Sequence, residues 1–207
     1  MRYLMALMLL CFASSSWAEM ILTIVDQDDL PVVGAVVSLP GHVVSTPTKV
    51  AVMDQIDESF VPRVLVVQKG QFVSFPNSDD IRHHVYSFSE PKRFEIKLYK
   101  GSDMPPVLFD KPGLVALGCN IHDDMIGYIV VADNSLTLKT DANGQVRLPA
   151  KPGDSALLWS ERTLDGVGAT QKISLTYDQT VKLDLLPPIE SMDHSTHTGF
   201  GKKKWSQ

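Results

Sequence analysis

The chain has 207 residues, 24 of them acidic and 19 basic, for a formal charge of −5. With 44% apolar and 21% charged residues it has the make-up of one or two packed domains rather than of a disordered chain. Mild acidity offers no electrostatic footprint for nucleic acid, and two cysteines are too few for a disulfide framework.

Residues 1–18 read as an export signal. Arg2 opens a short charged region, Leu4 to Phe12 form an apolar stretch, and Ser16-Trp17-Ala18 places small residues where a signal peptidase reads them. The apolar run is shorter than the about 20 residues a spanning helix needs. Cleavage after Ala18 and release into the periplasm are therefore expected, with no integral membrane segment left; an uncleaved anchor is the alternative. Cys11 lacks the small residue expected ahead of a lipidated cysteine, and its removal leaves Cys119 alone, so no disulfide can form within the mature chain.

Beyond the signal no segment carries a sustained helical stripe. Leu22 to Asp26 and the run Asp29 to Leu39 open the chain as strands. Phe94, Ile96 and Leu98 alternate with Glu95, Lys97 and Tyr99, and Val181, Leu183 and Leu185 alternate with Lys182 and Asp184. Val115 and Leu117 share parity with Cys119, so a strand there aims the cysteine at the same face as its apolar neighbours. Turn formers separate these runs: Lys69-Gly70, Pro76-Asn77, Lys111-Pro112-Gly113, Asn143-Gly144 and Lys151-Pro152-Gly153. Many short strands between such turns predict an all-β protein of sandwiches or barrels. After Pro187 apolar residues nearly vanish, and 188–207 reads as a flexible tail.

Two segments concentrate chemistry. One runs Val73-Ser74-Phe75-Pro76-Asn77 and on to His83-His84-Val85; the other is Gly118-Cys119-Asn120-Ile121-His122-Asp123-Asp124-Met125, with C-x2-H-x2-M spacing between two apolar strands. A thiolate and two imidazoles with a weak thioether form the blue-copper donor set. Soft sulfur suits Cu(I), and imidazole suits both oxidation states. One tight loop fixes the spacing of three ligands while a distant strand supplies the fourth.

On these motifs the chain resembles the cupredoxins, the plastocyanin- and amicyanin-like blue-copper proteins. More narrowly it resembles exported bacterial cupredoxin-domain proteins of the methylamine-utilisation type, over about residues 49–132. The resemblance implies a Greek-key β-sandwich holding one type 1 copper ion through His83, Cys119, His122 and Met125. The loop spacing is the more amicyanin-like. The asparagine usual after the first ligand histidine is replaced by His84, which can also donate a hydrogen bond.

Plainer readings compete. A single cysteine at strand parity is often a small buried hydrophobe, and Met125 could be core filler. Zinc accepts Cys and two His, although a thioether is a poor zinc ligand. His84 could replace His83 as ligand, since adjacent strand residues face opposite sides and both reach one pocket only through a bulge. His42 sits in a Pro-Gly turn without partner spacing, and Met192, His194 and His197 belong to the tail.

The flanking segments resemble a carboxypeptidase-regulatory-like, transthyretin-like sandwich. Its opening strands match residues 20–44, while its turn signatures come much later, as Thr140-Asp141-Ala142-Asn143-Gly144 and Pro152-Gly153-Asp154. The expected organisation is thus a smaller sandwich split between 20–44 and 136–187, with a cupredoxin domain at 45–135 inserted. Insertion is tolerated where chain ends lie close together.

The function implied is single-electron carriage between a donor and an acceptor redox protein. Copper storage or delivery is the alternative, and catalysis a distant third, because a catalytic centre needs an open position or a second metal. The loop histidine of cupredoxins presents its ring edge at the surface, so partners should dock over His122. Asp123 and Asp124 beside it would steer a basic partner.

Overall fold

The computed structural model describes residues 19–166 and 168–187; the export signal and the tail predicted from sequence lie outside them. The chain opens with β1 (Met20–Asp26) and β2 (Val36–Val43). Its middle comprises β3 (Ala51–Val52), β4 (Asp54–Ile56), β5 (Ser59–Val61), β6 (Val64–Gln68), β7 (Gln71–Ser74), β8 (His83–Ser87), β9 (Phe94–Tyr99), β10 (Val107–Phe109), β11 (Gly113–Gly118) and β12 (Ile126–Ala132). It closes with β13 (Ser135–Lys139), β14 (Gln145–Leu148), β15 (Ser155–Trp159), β16 (Gln171–Ser174) and β17 (Gln179–Leu183). No helix occurs among the described residues, and the protein is all-β, as its turn-punctuated sequence predicts.

The strands build two cores. In one, the sheet β14-β1-β17 faces the sheet β13-β2-β15-β16. Alternate residues of each enter a shared interior that includes Leu22, Ile24, Val37, Leu39, Leu148 and Leu158. Val181, Leu183 and Leu185, on the predicted parity, join it. The Asn143-Gly144 turn entering β14 depends on its glycine. Gly144 has φ +70°, and a Cβ there would lie 2.4 Å from the Ile24 carbonyl oxygen.

In the other core, the sheet β6-β12-β11-β8-β9 faces β10-β7-β3, with the β4–β5 hairpin at its end. Met53, Phe75, Val85, Phe109, Val115, Leu117 and Ile129 fill the space between. The intervening residues of β11 and β12 are apolar as well. Leu114, Ala116, Tyr128 and Val130 turn outward onto a third cluster containing Val36 of β2 and Trp159 of β15. Tyr128 and Trp159 meet edge to face at 5.6 Å between centroids, and Arg63 pairs with Glu161 at 2.6 Å beside them. A sheet covered on both faces needs apolar residues at both parities, and β11 and β12 supply them.

One alternation breaks. Leu98 is 54% exposed and Tyr99 is buried, the reverse of the period-two expectation. His83 pairs with Tyr99 but Val85 pairs with Ile96, so β9 carries one extra residue opposite β8. This bulge rotates Leu98 out and Tyr99 in. Burial then pushes the Tyr99 hydroxyl up to about 12, and it donates to the Phe75 carbonyl at 2.6 Å.

Candidate metal centre

The loop leading to His83 is shaped by Asn77, which is buried. Its Nδ2 donates to the carbonyls of Tyr99 at 2.8 Å and Ile81 at 3.0 Å, and its Oδ1 accepts the Asp79 N–H at 3.0 Å. A side-chain amide thus replaces the ladder bonds a loop lacks. The chain leaves this loop with Asp79 beneath the start of β8.

His83 is fully buried, with Nδ1 3.9 Å from Cys119 Sγ. Its Nε2 donates to Asp79 Oδ2 at 2.6 Å. Asp79 also accepts the backbone N–H groups of Asp57 at 2.6 Å and Glu58 at 3.0 Å. Burial pushes the Asp79 carboxyl up, but the bonds from the Glu58 N–H, the His83 ring and the Asp57 N–H outweigh it and hold the group below its ordinary value. An ionised carboxylate only accepts, so Nε2 is the donor of this pair, and Nδ1 is the ring atom turned toward Cys119.

His84 is buried too, yet on the other face. Its Nε2 lies 3.0 Å from Glu95 Oε1 and its ring packs on Tyr86 at 5.5 Å. The bulge lies in β9 rather than β8, so the two histidines keep opposite directions, and His84 has no place in the group around Cys119.

Cys119 follows β11 at the parity of Val115 and Leu117 and is 3% exposed. Gly118 before it leaves room for the Tyr86 ring, whose Oη would come within 2.8 Å of any Cβ there. The loop then turns tightly, the Met125 N–H donating to the His122 carbonyl at 3.1 Å. Met125 is 2% exposed and belongs to the same buried cluster as Cys119.

His122 stands at the rim, its ring 5.1 Å from that of His83. Its Nδ1 is buried without a hydrogen-bond partner, while its Nε2 lies 3.4 Å from Glu58 Oε2. The ring edge expected to face solvent is therefore partly covered by a carboxylate. Asp123 and Asp124 are exposed beside it.

One ligand atom from each of His83, Cys119 and His122 falls within 4.8 Å of the other two, the one such group among the described residues. A thiol and two imidazole nitrogens, with His122 Nδ1 buried and without a hydrogen-bond partner, suit a soft or borderline transition metal. His42 stays apart, 3.6 Å from Asp154, and Met192, His194 and His197 lie outside the described residues. Sequence reading missed Asp79 and Glu58. Asp79 lies one short loop ahead of His83 and could have been suspected, whereas nothing near Glu58 in sequence points to His122.

No protein-family model matches the chain, and no curated protein does. Among solved structures, it is similar over 53% of its length to a copper-containing nitrite reductase from Thermus scotoductus SA-01, at 23% identity and TM-score 0.38; it spans only 28% of that chain. A purple cupredoxin from Nitrosopumilus maritimus aligns with 40% of this chain and 99% of its own, at 19% identity and TM-score 0.36. A pseudoazurin from Sinorhizobium meliltoi aligns with 40% of this chain and 73% of its own, at 24% identity and TM-score 0.32.

Proposed function

We propose that the protein is a periplasmic type 1 copper protein that carries single electrons, with one copper ion held by His83, Cys119, His122 and Met125. The observation that supports this most directly is the convergence of one ligand atom each from His83, Cys119 and His122, with His122 Nδ1 buried and without a hydrogen-bond partner. Bound copper would supply a one-electron couple between Cu(II) and Cu(I). The chain's own residues do the rest. Asp79 keeps the His83 ring oriented, burial of Cys119 and Met125 excludes water, and β8 and β11, joined in one sheet, keep His83 and Cys119 at fixed separation.

Carriage is preferred over delivery and over catalysis for one reason: the ligands other than His122 are almost fully buried, which favours retention of the metal over its exchange. Donor and acceptor would meet the site over His122, where exposed Asp123 and Asp124 favour a basic partner. We further propose that β1, β2 and β13–β17 form a transthyretin-like sandwich, split by the copper-binding unit and serving as scaffold or docking element.

The test is metal analysis and a visible spectrum of the copper-loaded mature protein. An intense thiolate-to-copper band that disappears in Cys119→Ser supports the reading; a colourless protein that retains zinc overturns it. Electron exchange with a small cationic redox protein should slow with salt, and less so in Asp123→Asn/Asp124→Asn. Mass spectrometry of the exported protein should find Glu19 first, and Met1 at that position would remove the export step.

A further inference from the structure

The turn between β4 and β5 touches the ligand loop through Glu58, whose carboxylate lies 3.4 Å from His122 Nε2. Two features make this contact more than a surface ion pair. Asp57 and Glu58 both adopt left-handed backbone, φ +50° and +56°, as the two-residue turn of the β4–β5 hairpin requires. Asp79 braces this turn: it accepts both of their N–H groups and the His83 ring proton. The turn that carries Glu58 to one imidazole is therefore tied to the carboxylate that holds the other. The second feature is the far side of the His122 ring. Nε2 lies 3.4 Å from a carboxylate oxygen, whereas Nδ1 is buried without a hydrogen-bond partner, so the two ring nitrogens face unlike surroundings.

We propose that Glu58 is a positioning residue of the metal centre: it holds the His122 ring from outside, keeps the ring proton on Nε2 and presents Nδ1 inward before any metal arrives. The effect on copper affinity rests on His122 being a copper ligand; the orientation of its ring by Glu58 does not. Glu58 itself does not touch the metal; it acts through His122. Outer carboxylates of this kind orient ligating histidines and typically contribute about 10–100-fold in metal affinity. Glu58 also lies beside the ring edge over which a redox partner would dock.

The experiment uses the full chain in three versions: wild type, Glu58→Ala and Glu58→Gln. In the metal-free protein, at about pH 8, above the ordinary imidazole range, long-range proton–nitrogen spectra report the tautomer of His122. Copper affinity is then measured against a competing chelator. Wild type should show the proton on Nε2. Glu58→Ala should mix the tautomers and weaken copper binding about 10–100-fold, while Glu58→Gln, whose carbonyl still accepts, should restore the tautomer and most of the affinity. The His84 signals should not move in any version. A wild-type His122 protonated on Nδ1 overturns the proposal even if the alanine variant fails to fold. So does a folded Glu58→Ala with unchanged tautomer and affinity. If wild type takes up no copper but the alanine variant still mixes tautomers, the copper reading fails and the positioning role stands.

Discussion

Replacing Asp79 by alanine removes three acceptor contacts at once, and their environments set the cost. A bond to an ionised group contributes about 1.5–3 kcal/mol when its partner cannot be resolvated. The Asp57 N–H lies at an exposed turn, and water can replace the lost carboxylate there at little cost. The Glu58 N–H is partly buried and falls in between. The His83 ring is fully buried, so its Nε2–H is left without an acceptor and bears nearly the whole penalty. The sum is a loss of about 2–4 kcal/mol. Asp79→Asn keeps one acceptor oxygen and should lose about half as much. Urea unfolding of the metal-free protein measures this directly, with the midpoint falling and the m-value unchanged. Copper affinity of Asp79→Ala should fall as well, since His83 and the turn bearing Glu58 both lose their anchor. A stability loss below about 0.5 kcal/mol, the range of ordinary surface substitutions, would refute the claim that Asp79 organises the site.

His83→Ala should abolish tight copper binding, whereas His84→Ala, which removes only the contacts to Glu95 and Tyr86, should keep the blue absorption; loss of colour in the second variant alone would reverse the ligand assignment. Gly144→Ala should cost at least about 2 kcal/mol in thermal or urea unfolding, because a left-handed backbone and a close approach to the Ile24 carbonyl both oppose a Cβ. Burial pushes the Asp26 carboxyl up, but the Arg162 guanidinium and two backbone N–H groups outweigh it and hold the group below 3.8. The unfolded chain therefore binds the Asp26 proton more readily than the folded one. The stability from this group is complete above the ordinary carboxylate range and is lost as pH falls through the lowered folded value. Asp26→Asn should accordingly flatten the acid limb of a stability–pH curve. Trp159→Ala, at the contact with Tyr128, should cost about 3–5 kcal/mol and loosen the two sandwiches from each other, which calorimetry would register as a broadened or split transition.

Short-range pattern determined much of this protein. Period-two alternation with Gly, Pro and Asn punctuation specified an all-β chain, because side-chain parity and turn chemistry are properties of a few neighbouring residues. The same parity turned Cys119 inward with Val115 and Leu117, and the C-x2-H-x2-M spacing identified the loop that carries His122 and Met125. Tertiary structure alone decided the rest. Whether His83 or His84 meets Cys119 depended on where the bulge fell: it lies in β9, across the sheet, and leaves β8 regular. The exposure of Leu98 and burial of Tyr99 follow from the same extra residue. The apolar outer face of β11 and β12 gained its meaning from Val36 and Trp159, brought there by strands at both ends of the described chain. Asp79 holds both the His83 ring and the hairpin turn that brings Glu58 to His122. Such contacts join residues far apart in sequence, so they exist only once the sheets have closed.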